Sequence, residues 1–273
     1  ACYTAKKRGR NRVHFYNPED REMHTLRHSV EWAPRIRAAL KQGDFVLEFQ
    51  PIYALDSAEV THYECLIRMR GEGGLLYYPK EFIPVAEAMG LIHQIDFWVI
   101  ERAMDMLRTM PESISFAINL SGNVFLDEQL YPLVQQKLIQ TGIDPARIVF
   151  EITETSAISN FELTKRMITS LRSLGCRFAL DDFGAGFNSY NYLKYFPVDI
   201  LKIDGGFITD LDNDPVDQML VKSMIDIAHS LGKKTVAEFV ERESTLELLR
   251  GYGVDFVQGY LVGKPQPKVP DSD

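Results

Sequence analysis

Short apolar segments and longer segments with helical periodicity alternate along most of this chain of 273 residues. About eight segments are rich in apolar, β-branched or aromatic residues, near 44–55, 62–69, 115–121, 147–154, 177–182, 199–204, 234–240 and 255–262. Six segments repeat apolar residues at helical spacing, near 28–42, 92–110, 123–141, 157–174, 215–231 and 243–251. This alternation predicts an α/β fold with a parallel sheet, and about eight units favour a modified TIM-type (β/α)8 barrel over a doubly wound sheet.

The first two predicted strands depart from this pattern. Only about six residues separate the segment that ends at Leu55 from the one that starts at His62, whereas a parallel crossover needs about a dozen residues or more. We therefore expect an antiparallel first strand. With 45% hydrophobic residues, a chain of this length can bury one large core, so we expect a single barrel domain.

Charge and cysteine usage limit the classes of protein to which the chain can belong. A net charge of −8 argues against a surface that binds a nucleic-acid polymer. The three cysteines show no CxxC spacing and fit a reducing compartment better than a disulfide framework. No apolar run approaches the roughly 18 to 20 residues that span a bilayer. We therefore expect a cytoplasmic fragment without membrane contact, which still allows it to be the cytoplasmic part of a larger, membrane-attached protein.

Polar residues lie near the ends of separate predicted strands, where barrel enzymes build their active sites. They are Glu64, Asn119, Glu151, Asp181, Asp182, Lys202 and Glu238. Buried carboxylates are costly unless they are paired or bind a metal. Carboxylates with one amide, and without histidine or thiolate, form a hard site suited to Mg²⁺ or Mn²⁺. Two such cations are a recurrent device for phosphoester hydrolysis, in which a nearby lysine can orient or help deprotonate the attacking water.

Seven motifs in order along the chain closely resemble the motif series of EAL-domain cyclic-di-GMP phosphodiesterases. They are YECLIR, AINLS, FEITET, DDFGAGFNSY, LKIDGGFI, VAEFVE and VQGYLVGKP. The resemblance covers roughly residues 28–267 and leaves 268–273 as a C-terminal tail. It implies an enzyme that hydrolyses cyclic di-GMP to linear pGpG with two Mg²⁺ or Mn²⁺ ions per site, and that Ca²⁺ inhibits.

The resemblance also implies a role for each residue that matches a family motif. The implied metal ligands are Glu64, Asn119, Glu151, Asp181, Asp182 and Glu238, with Asp181 shared by both ions. Lys202 matches the water-activating lysine, and the implied catalytic set is Lys202, Glu64, Glu238 and Gln258. The residues implied in substrate binding are Gln50, Leu66, Arg68, Asp204 and Glu241, and Glu154 is implied to support the loop after the aspartate pair.

Three features differ from the usual family pattern. Cys65 replaces an alanine, and strand alternation turns it away from Glu64, so we expect little effect. Phe239 replaces a glycine and adds a large side chain beside Glu238 that can change the loop geometry. Ala185 and Phe187 change the turn that links the metal site to the dimer surface in the family, so they bear on regulation more than on chemistry.

The beginning of the chain and the segment after the aspartate pair suggest further features. The first residues, ACYTAKKRGRNRVHFY, resemble the closing helix and strand of GGDEF diguanylate-cyclase domains, although their charge also fits a solvated basic terminus. That resemblance implies that residues 1–27 are the end of such a domain plus a linker, cut from a longer protein. In the EAL family the barrel pairs through the helix after the DDFG loop. We therefore expect a homodimer in which Tyr190, Tyr192, Leu193 and Tyr195 are exposed at the surface.

Two other functions remain open. An EAL-type receptor would hold cyclic di-GMP without cutting it, and a missing ligand would favour that function, but no ligand is missing. An enolase-like metal barrel also uses acids and a lysine at strand ends, yet it explains neither the antiparallel start nor the Asp181–Asp182 pair. Taken singly, Asp182, Glu154 and Glu241 also suit helix caps or surface charges, and Lys202 suits a side chain that extends past apolar neighbours.

Overall fold

The computed structural model describes residues 21–185 and 193–270, with side chains from residue 30 onward. The predicted end of a cyclase-like domain therefore lies mostly outside the described residues. Those that are described form two compact units, one of residues 21–46 and 68–92 and the other of residues 47–67, 93–185 and 193–270. In this part of the chain, no helix is long and apolar enough to cross a membrane.

The strands confirm the predicted fold class. They are β1 (Phe45–Ala54), β2 (Glu59–Arg70), β3 (Leu76–Tyr77), β4 (Ser115–Asn119), β5 (Ile148–Thr153), β6 (Arg177–Phe183), β7 (Ile200–Ile203), β8 (Lys234–Ala237) and β9 (Phe256–Gln258). From β2 through β4 to β9, neighbouring strands pair in parallel. β1 pairs antiparallel with β9 and also pairs with β2, which closes an eight-stranded barrel with an antiparallel first strand.

The helices follow the predicted alternation with local differences. They are α1 (Arg21–Gln42), α2 (Pro79–Ala88), α3 (Ile92–Leu107), α4 (Leu130–Thr141), α5 (Glu154–Ser159), α6 (Phe161–Ser173), α7 (Pro215–Ser230) and α8 (Glu243–Tyr252). Helix α1 is already present at Arg21, the first described residue, so it covers part of the segment predicted as a linker and is not confined to residues after about 28. The prediction that one helix runs from 123 to 141 was wrong, because Val124–Leu126 forms a separate 3-10 turn and α4 starts only at Leu130.

Aromatic contacts pack the first unit. Trp32 on α1 meets the ring of Tyr77 edge-on, with 4.9 Å between the ring centroids. Phe45 lies 5.7 Å from Phe82 of α2, measured in the same way. Such pairs add to the apolar area that the helices bury, and they hold α1 and α2 to the strand residues of the same unit.

Inward-facing positions of the second unit form an apolar layer. Its members are Ile52, Ala54, Ala117, Val149, Ala179, Ile200, Val236 and Phe256. Because side chains alternate along a strand, residues two positions later face the same way. Val149 is followed in this sense by Glu151, and Ile200 by Lys202. The inward-facing positions of a strand therefore carry apolar side chains in the middle of the barrel and polar side chains at its carboxyl end.

Candidate active site

The predicted polar residues lie at the carboxyl ends of the strands in the second unit. Glu64 is on β2, Asn119 ends β4, Glu151 is on β5, Asp181 is on β6, Lys202 is on β7, Glu238 follows β8 and Gln258 ends β9. Register fixes their heights along the barrel, since Asn119 pairs directly with Glu151. Except for Asn119, all of these residues are buried.

Lys202 is the centre of this group. Its side chain is 1% exposed, and Nζ lies 2.8 Å from Oε2 of Glu151 and 2.9 Å from Oε1 of Glu238. Asp181 Oδ1 lies 3.1 Å from the same nitrogen, and Glu64 Oε2 lies 3.8 Å away. One ammonium group thus faces four carboxylates, which leaves an excess of acidic groups in a buried place.

Amide side chains hold Glu64 in position. Asn119 Nδ2 donates to Oε1 of Glu64 at 2.5 Å, and Gln258 Nε2 donates to Oε2 at 2.6 Å. Gln258 also donates to Oε1 of Gln50 at 3.3 Å, and Gln50 donates to the carbonyl of Gly263 at 3.3 Å. Side chains from four strands therefore form one hydrogen-bonded network around the acidic group.

The electrostatics follow from burial and from the unequal number of charges. Burial raises the pKa of Glu151 well above its usual range, repulsion from Glu64 and Asp181 adds to this effect, and Lys202 opposes it. The same causes, with burial the largest, raise the pKa of Glu238 to about 7. Burial alone would lower the pKa of Lys202, but the surrounding carboxylates raise it well above its usual value. Without cations, the group holds protons that an exposed acidic cluster would release.

The acidic residues fit hard cations. Asp181, Asp182 and Glu238 each place a carboxylate oxygen within 4.8 Å of the others. Asp182 reaches this position through a left-handed backbone with φ of 55°, which explains how two adjacent aspartates serve one site. Oδ1 of Asp181 is buried, and the ammonium of Lys202 lies 3.1 Å from it without hydrogen-bond geometry. A cluster of oxygen donors of this kind suits a hard divalent cation.

The implied substrate and support residues have different surroundings. Arg68 belongs to the first unit, where it is buried with its guanidinium 4.8 Å from the centre of the Tyr78 ring. Asp204 caps the turn Gly205–Phe207 by accepting from the backbone N–H of Gly206 at 2.9 Å. Leu66 is half-buried, and Glu241 is exposed.

Glu154 contacts the loop that follows the aspartate pair. It is 3% exposed, and its Oε2 accepts from the backbone N–H of Gly184 at 3.3 Å. Its other oxygen is buried without a hydrogen-bond partner in the described parts of the chain. Gly184 has φ of 101°, which an L side chain adopts only with strain. Glu154 thus holds the turn that begins two residues after Asp182.

The residues that depart from the family pattern are partly described. Cys65 is buried, and burial raises the pKa of its thiol well above the usual value, so it is an unreactive core side chain. Phe239 is 61% exposed and has φ of 55°, the left-handed conformation that glycine adopts freely. Ala185 is exposed, and Phe187 lies outside the described residues.

The expected dimer surface needs one correction. Leu193 is fully buried and cannot present apolar surface to a partner, because its side chain packs into the fold. Tyr195 is 58% exposed, as expected. Tyr190 and Tyr192 lie outside the described residues.

One buried carboxylate near the site was not predicted. Asp96 on α3 is 5% exposed and accepts from the hydroxyl of Ser121 at 2.5 Å. The sequence held one signal for it, an acid within the apolar run Ile95–Ile100 of an amphipathic helix. Its partner lies 25 residues away, and no periodicity indicates that contact.

Known proteins resemble both the sequence and this geometry. The cyclic di-GMP phosphodiesterase PdeB of Shewanella oneidensis is 38% identical over 271 residues, which cover 98% of this chain and 32% of PdeB. The chain spans about a third of the length of the curated relatives that it matches. Among solved structures, the c-di-GMP complex of the PaMucR phosphodiesterase has a TM-score of 0.82 and 32% identity, covering 87% of this chain and 98% of that one.

A second solved structure is equally similar. The FimX EAL domain from Pseudomonas aeruginosa bound to c-di-GMP has a TM-score of 0.82 and 32% identity, covering 87% of this chain and 97% of that chain. The family model described as the EAL domain matches residues 33–265, which is most of the chain. The chain therefore belongs to the EAL domain family.

Proposed function

We propose that this protein is a metal-dependent phosphodiesterase that hydrolyses cyclic di-GMP to linear pGpG. The observation that carries the proposal is the buried lysine surrounded by four carboxylates at the carboxyl ends of the barrel strands. A complete acid set is what two-metal phosphoester hydrolysis requires. Relatives named cyclic di-GMP phosphodiesterases and an EAL phosphodiesterase solved with c-di-GMP support the choice of substrate.

Two Mg²⁺ or Mn²⁺ ions are the proposed cofactors. We assign Glu64, Asn119, Glu151 and Asp181 to the first ion, and Asp181, Asp182 and Glu238 to the second. When bound, such ions polarise the phosphate and lower the pKa of the attacking water. Gln258 and Asn119 keep both oxygens of Glu64 oriented by hydrogen bonds. Both oxygens of Glu64 are therefore oriented before any cation arrives.

Lys202 is the proposed water-activating residue. Burial lowers its pKa, and the carboxylates raise it by a larger amount. Cations that neutralise those carboxylates would remove the opposing effect and leave burial. Lys202 would then release its proton more easily and accept one from the attacking water at neutral pH. Glu64, Glu238 and Gln258 complete the proposed catalytic set.

Substrate binding is assigned to five residues that match the family motifs. They are Gln50, Leu66, Arg68, Asp204 and Glu241, with Glu154 as the support of the loop after the aspartate pair. Arg68 offers a planar guanidinium suited to a phosphate oxygen. We expect these residues to set affinity more than turnover.

Product analysis with controlled metals tests the function. The purified chain is incubated with cyclic di-GMP and Mg²⁺ or Mn²⁺, and the products are separated by chromatography. We expect pGpG to form, activity to vanish with excess chelator, and activity to return when either metal is restored. Ca²⁺ should support binding more than turnover, because its looser coordination suits in-line attack poorly. Full activity in excess chelator contradicts the metal mechanism, and binding without product favours a receptor.

We also propose the wider context of the chain. Residues 1–27 are assigned to the end of a GGDEF-like domain and a linker, residues 28–267 to the phosphodiesterase barrel, and residues 268–273 to a tail. The proposed location is the cytoplasm, as part of a longer protein. The sequence of the parent gene tests the assignment of residues 1–27, because it must then encode a GGDEF-like domain directly before the barrel.

A homodimer through the segment after the aspartate pair is a further proposal. Tyr195 contributes exposed aromatic surface there. The segment that would pair follows directly after the proposed metal ligands Asp181 and Asp182, so dimerisation should restrain the metal site. Activity per chain should then rise with protein concentration until all chains are dimeric. Sedimentation and specific activity are measured across one dilution series. A monomer with constant specific activity contradicts the dimer and leaves the hydrolytic function intact.

A further inference from the structure

The end of strand β4 carries one of the proposed metal ligands. Asn119 is the last residue of β4, and its amide donates to Glu64 at 2.5 Å. Asn119 is exposed, as is Asp182, whereas the proposed ligands Glu64, Glu151, Asp181 and Glu238 are buried. Packing therefore restrains its side chain less than theirs, and its placement depends on how firmly the backbone after β4 is held.

A carboxylate on helix α3 holds this backbone. Ser121 donates its hydroxyl to Oδ2 of Asp96 at 2.5 Å and its backbone N–H to Oδ1 at 3.3 Å. Both oxygens of one buried acid thus bind a single residue, two positions after Asn119. Hydrogen bonds to a charged acceptor are among the stronger ones, and this pair restrains both the main chain and the side chain of Ser121.

Two further contacts limit the same segment. The N–H of Leu120 donates to the carbonyl of Glu151 at 2.9 Å, which extends the pairing of β4 with β5 by one residue. Gly122 lies so close to α5 that an added Cβ would stand 2.7 Å from Cβ of Ser156. The segment from Asn119 to Gly122 is therefore held between β5, α5 and the carboxylate of Asp96.

We infer that Asp96 is a positioning residue for the metal site: through Ser121 it fixes the end of β4, and so it aims Asn119 at the cation. The inference rests on the proposed function only in assigning Asn119 to a metal ion. Groups that orient a ligand without touching the metal commonly change metal affinity or activity about 10- to 100-fold when they are removed. A purely structural Asp96 would instead change stability and leave metal affinity unchanged.

Direct metal titration separates these two roles. Mn²⁺ binding is measured by electron paramagnetic resonance without substrate, for the unaltered protein and for Ser121→Ala, Ser121→Thr and Asp96→Asn. We expect Ser121→Ala to weaken Mn²⁺ binding about tenfold or more. Asp96→Asn should cause a smaller loss, because the amide retains one acceptor, and Ser121→Thr should restore affinity because it retains the hydroxyl. Unchanged affinity in Ser121→Ala overturns the inference.

A matched control lies on the surface of the same unit. Ser244 donates its hydroxyl to Oδ2 of Asp212 at 2.7 Å, so Ser244→Ala removes a hydrogen bond of the same kind away from the proposed ligands. We expect Ser244→Ala to bind Mn²⁺ like the unaltered protein. Circular dichroism and melting without metal identify any variant that does not fold, and Asp96→Asn replaces Ser121→Ala if the latter fails.

A double-mutant cycle tests the route through Asn119. In an Asn119→Ala background, the metal has lost the ligand that Asp96 is inferred to aim. Ser121→Ala should then cause no further loss of Mn²⁺ affinity. An additional tenfold loss in that background overturns the inference, because it would show that Ser121 acts by another route.

Failure of this inference is distinguishable from failure of the proposed function. The titrations contain no dinucleotide, so they give a result whether or not cyclic di-GMP is the substrate. Normal Mn²⁺ affinity in Ser121→Ala together with full hydrolysis by the unaltered protein overturns only the role of Asp96. A protein that binds Mn²⁺ with the expected differences and releases no pGpG overturns only the function.

Discussion

The two ends of the barrel differ in how completely their charges are paired. At the amino ends of the strands, Asp255 accepts from His229 at 2.9 Å, from Lys234 at 3.2 Å and from the N–H of Thr235 at 2.9 Å. At the carboxyl ends, four carboxylates share the single ammonium of Lys202. The charges around Asp255 are paired and stabilise the fold, while the carboxyl end keeps an excess of acidic groups that bound protons or cations must balance.

Arg147 is a second buried charge at the amino ends of the strands, and its guanidinium also has several hydrogen-bond acceptors. It is 9% exposed, directly before β5, and its Nε donates to the carbonyl of Ile114 at 2.7 Å. Its Nη2 donates to the carbonyl of Pro111, also at 2.7 Å. A buried cation with several acceptors contributes to stability without offering a site for chemistry. The number of buried charges thus says less about function than whether they are balanced.

The largest effect is expected on turnover, when Lys202 is removed from the carboxyl end of the barrel. Lys202→Ala removes the proposed water-activating group, so turnover should fall about 100-fold or more, with a much smaller loss of cyclic di-GMP affinity. Arg68→Ala should do the opposite and chiefly weaken binding. Steady-state kinetics and equilibrium binding measure both quantities. Lys137→Ala, which removes a surface ion pair with Asp105, is the control, and equal modest effects in Lys202→Ala and Arg68→Ala would show that the roles are assigned wrongly.

The free energy of unfolding, measured as a function of pH, tests the excess of acidic groups at the carboxyl end. The raised pKa of Glu238, about 7, means that the folded protein without metal keeps a proton that the unfolded chain releases between about pH 4.5 and 7. The contribution of Glu238 to the free energy of unfolding, measured as the difference between the unaltered protein and Glu238→Gln, should therefore fall as pH rises through this range, by roughly 3 kcal/mol. Urea unfolding with chelator present measures the slope. Glu238→Gln should remove its contribution, and an unchanged slope would contradict the assignment.

The amino end should give a pH slope of opposite sign. Burial, together with the charges of Arg177 and Lys234, lowers the pKa of His62 to about 4. The unfolded chain then binds a proton below about pH 6.5 that the folded protein refuses until about pH 4. The contribution of His62 to the free energy of unfolding, measured as the difference between the unaltered protein and His62→Gln, should rise with pH across this interval, again by roughly 3 kcal/mol. His62→Gln should flatten this part of the curve. A parallel curve for the variant would mean that another group is responsible.

A smaller effect, on stability alone, is expected when the paired charges at the amino end are disrupted. Asp255→Asn weakens the hydrogen bonds to His229, Lys234 and Thr235, so the free energy of unfolding should fall by roughly 2 kcal/mol. Activity per folded molecule should stay unchanged, because this end has no part in the proposed chemistry. Urea unfolding and kinetics on the same sample check both statements. A loss of turnover in fully folded Asp255→Asn would contradict the separation of the two ends.

The sequence predicted the barrel well because its strands are separated by regular helical segments. It missed β3, which has only two residues, and α2, which contains Pro79 and Pro84 and so resembles a loop. Pro79 is tolerated because it stands in the first helical turn, where its missing N–H has no acceptor in any case. Burial of Leu193 was also missed, since exposure of one face depends on what packs against it.

The site was predictable to the extent that strand ends bring residues together. Parallel strands align their carboxyl ends, so acids at successive strand ends had to meet. The sharing of Lys202 by four carboxylates depends on distances between strands, which no spacing along the chain reveals. The contact of Asp96 with Ser121 likewise joins a helix to a loop and carries no sequence pattern.

Phe239 limits how this site can change during evolution. Its ring lies so close to Gly205 that any Cβ there would overlap the ring. A side chain at position 205 therefore requires this ring to move or to be lost. The two positions are coupled, and we expect a substitution of Gly205 to be better tolerated when position 239 carries a small residue.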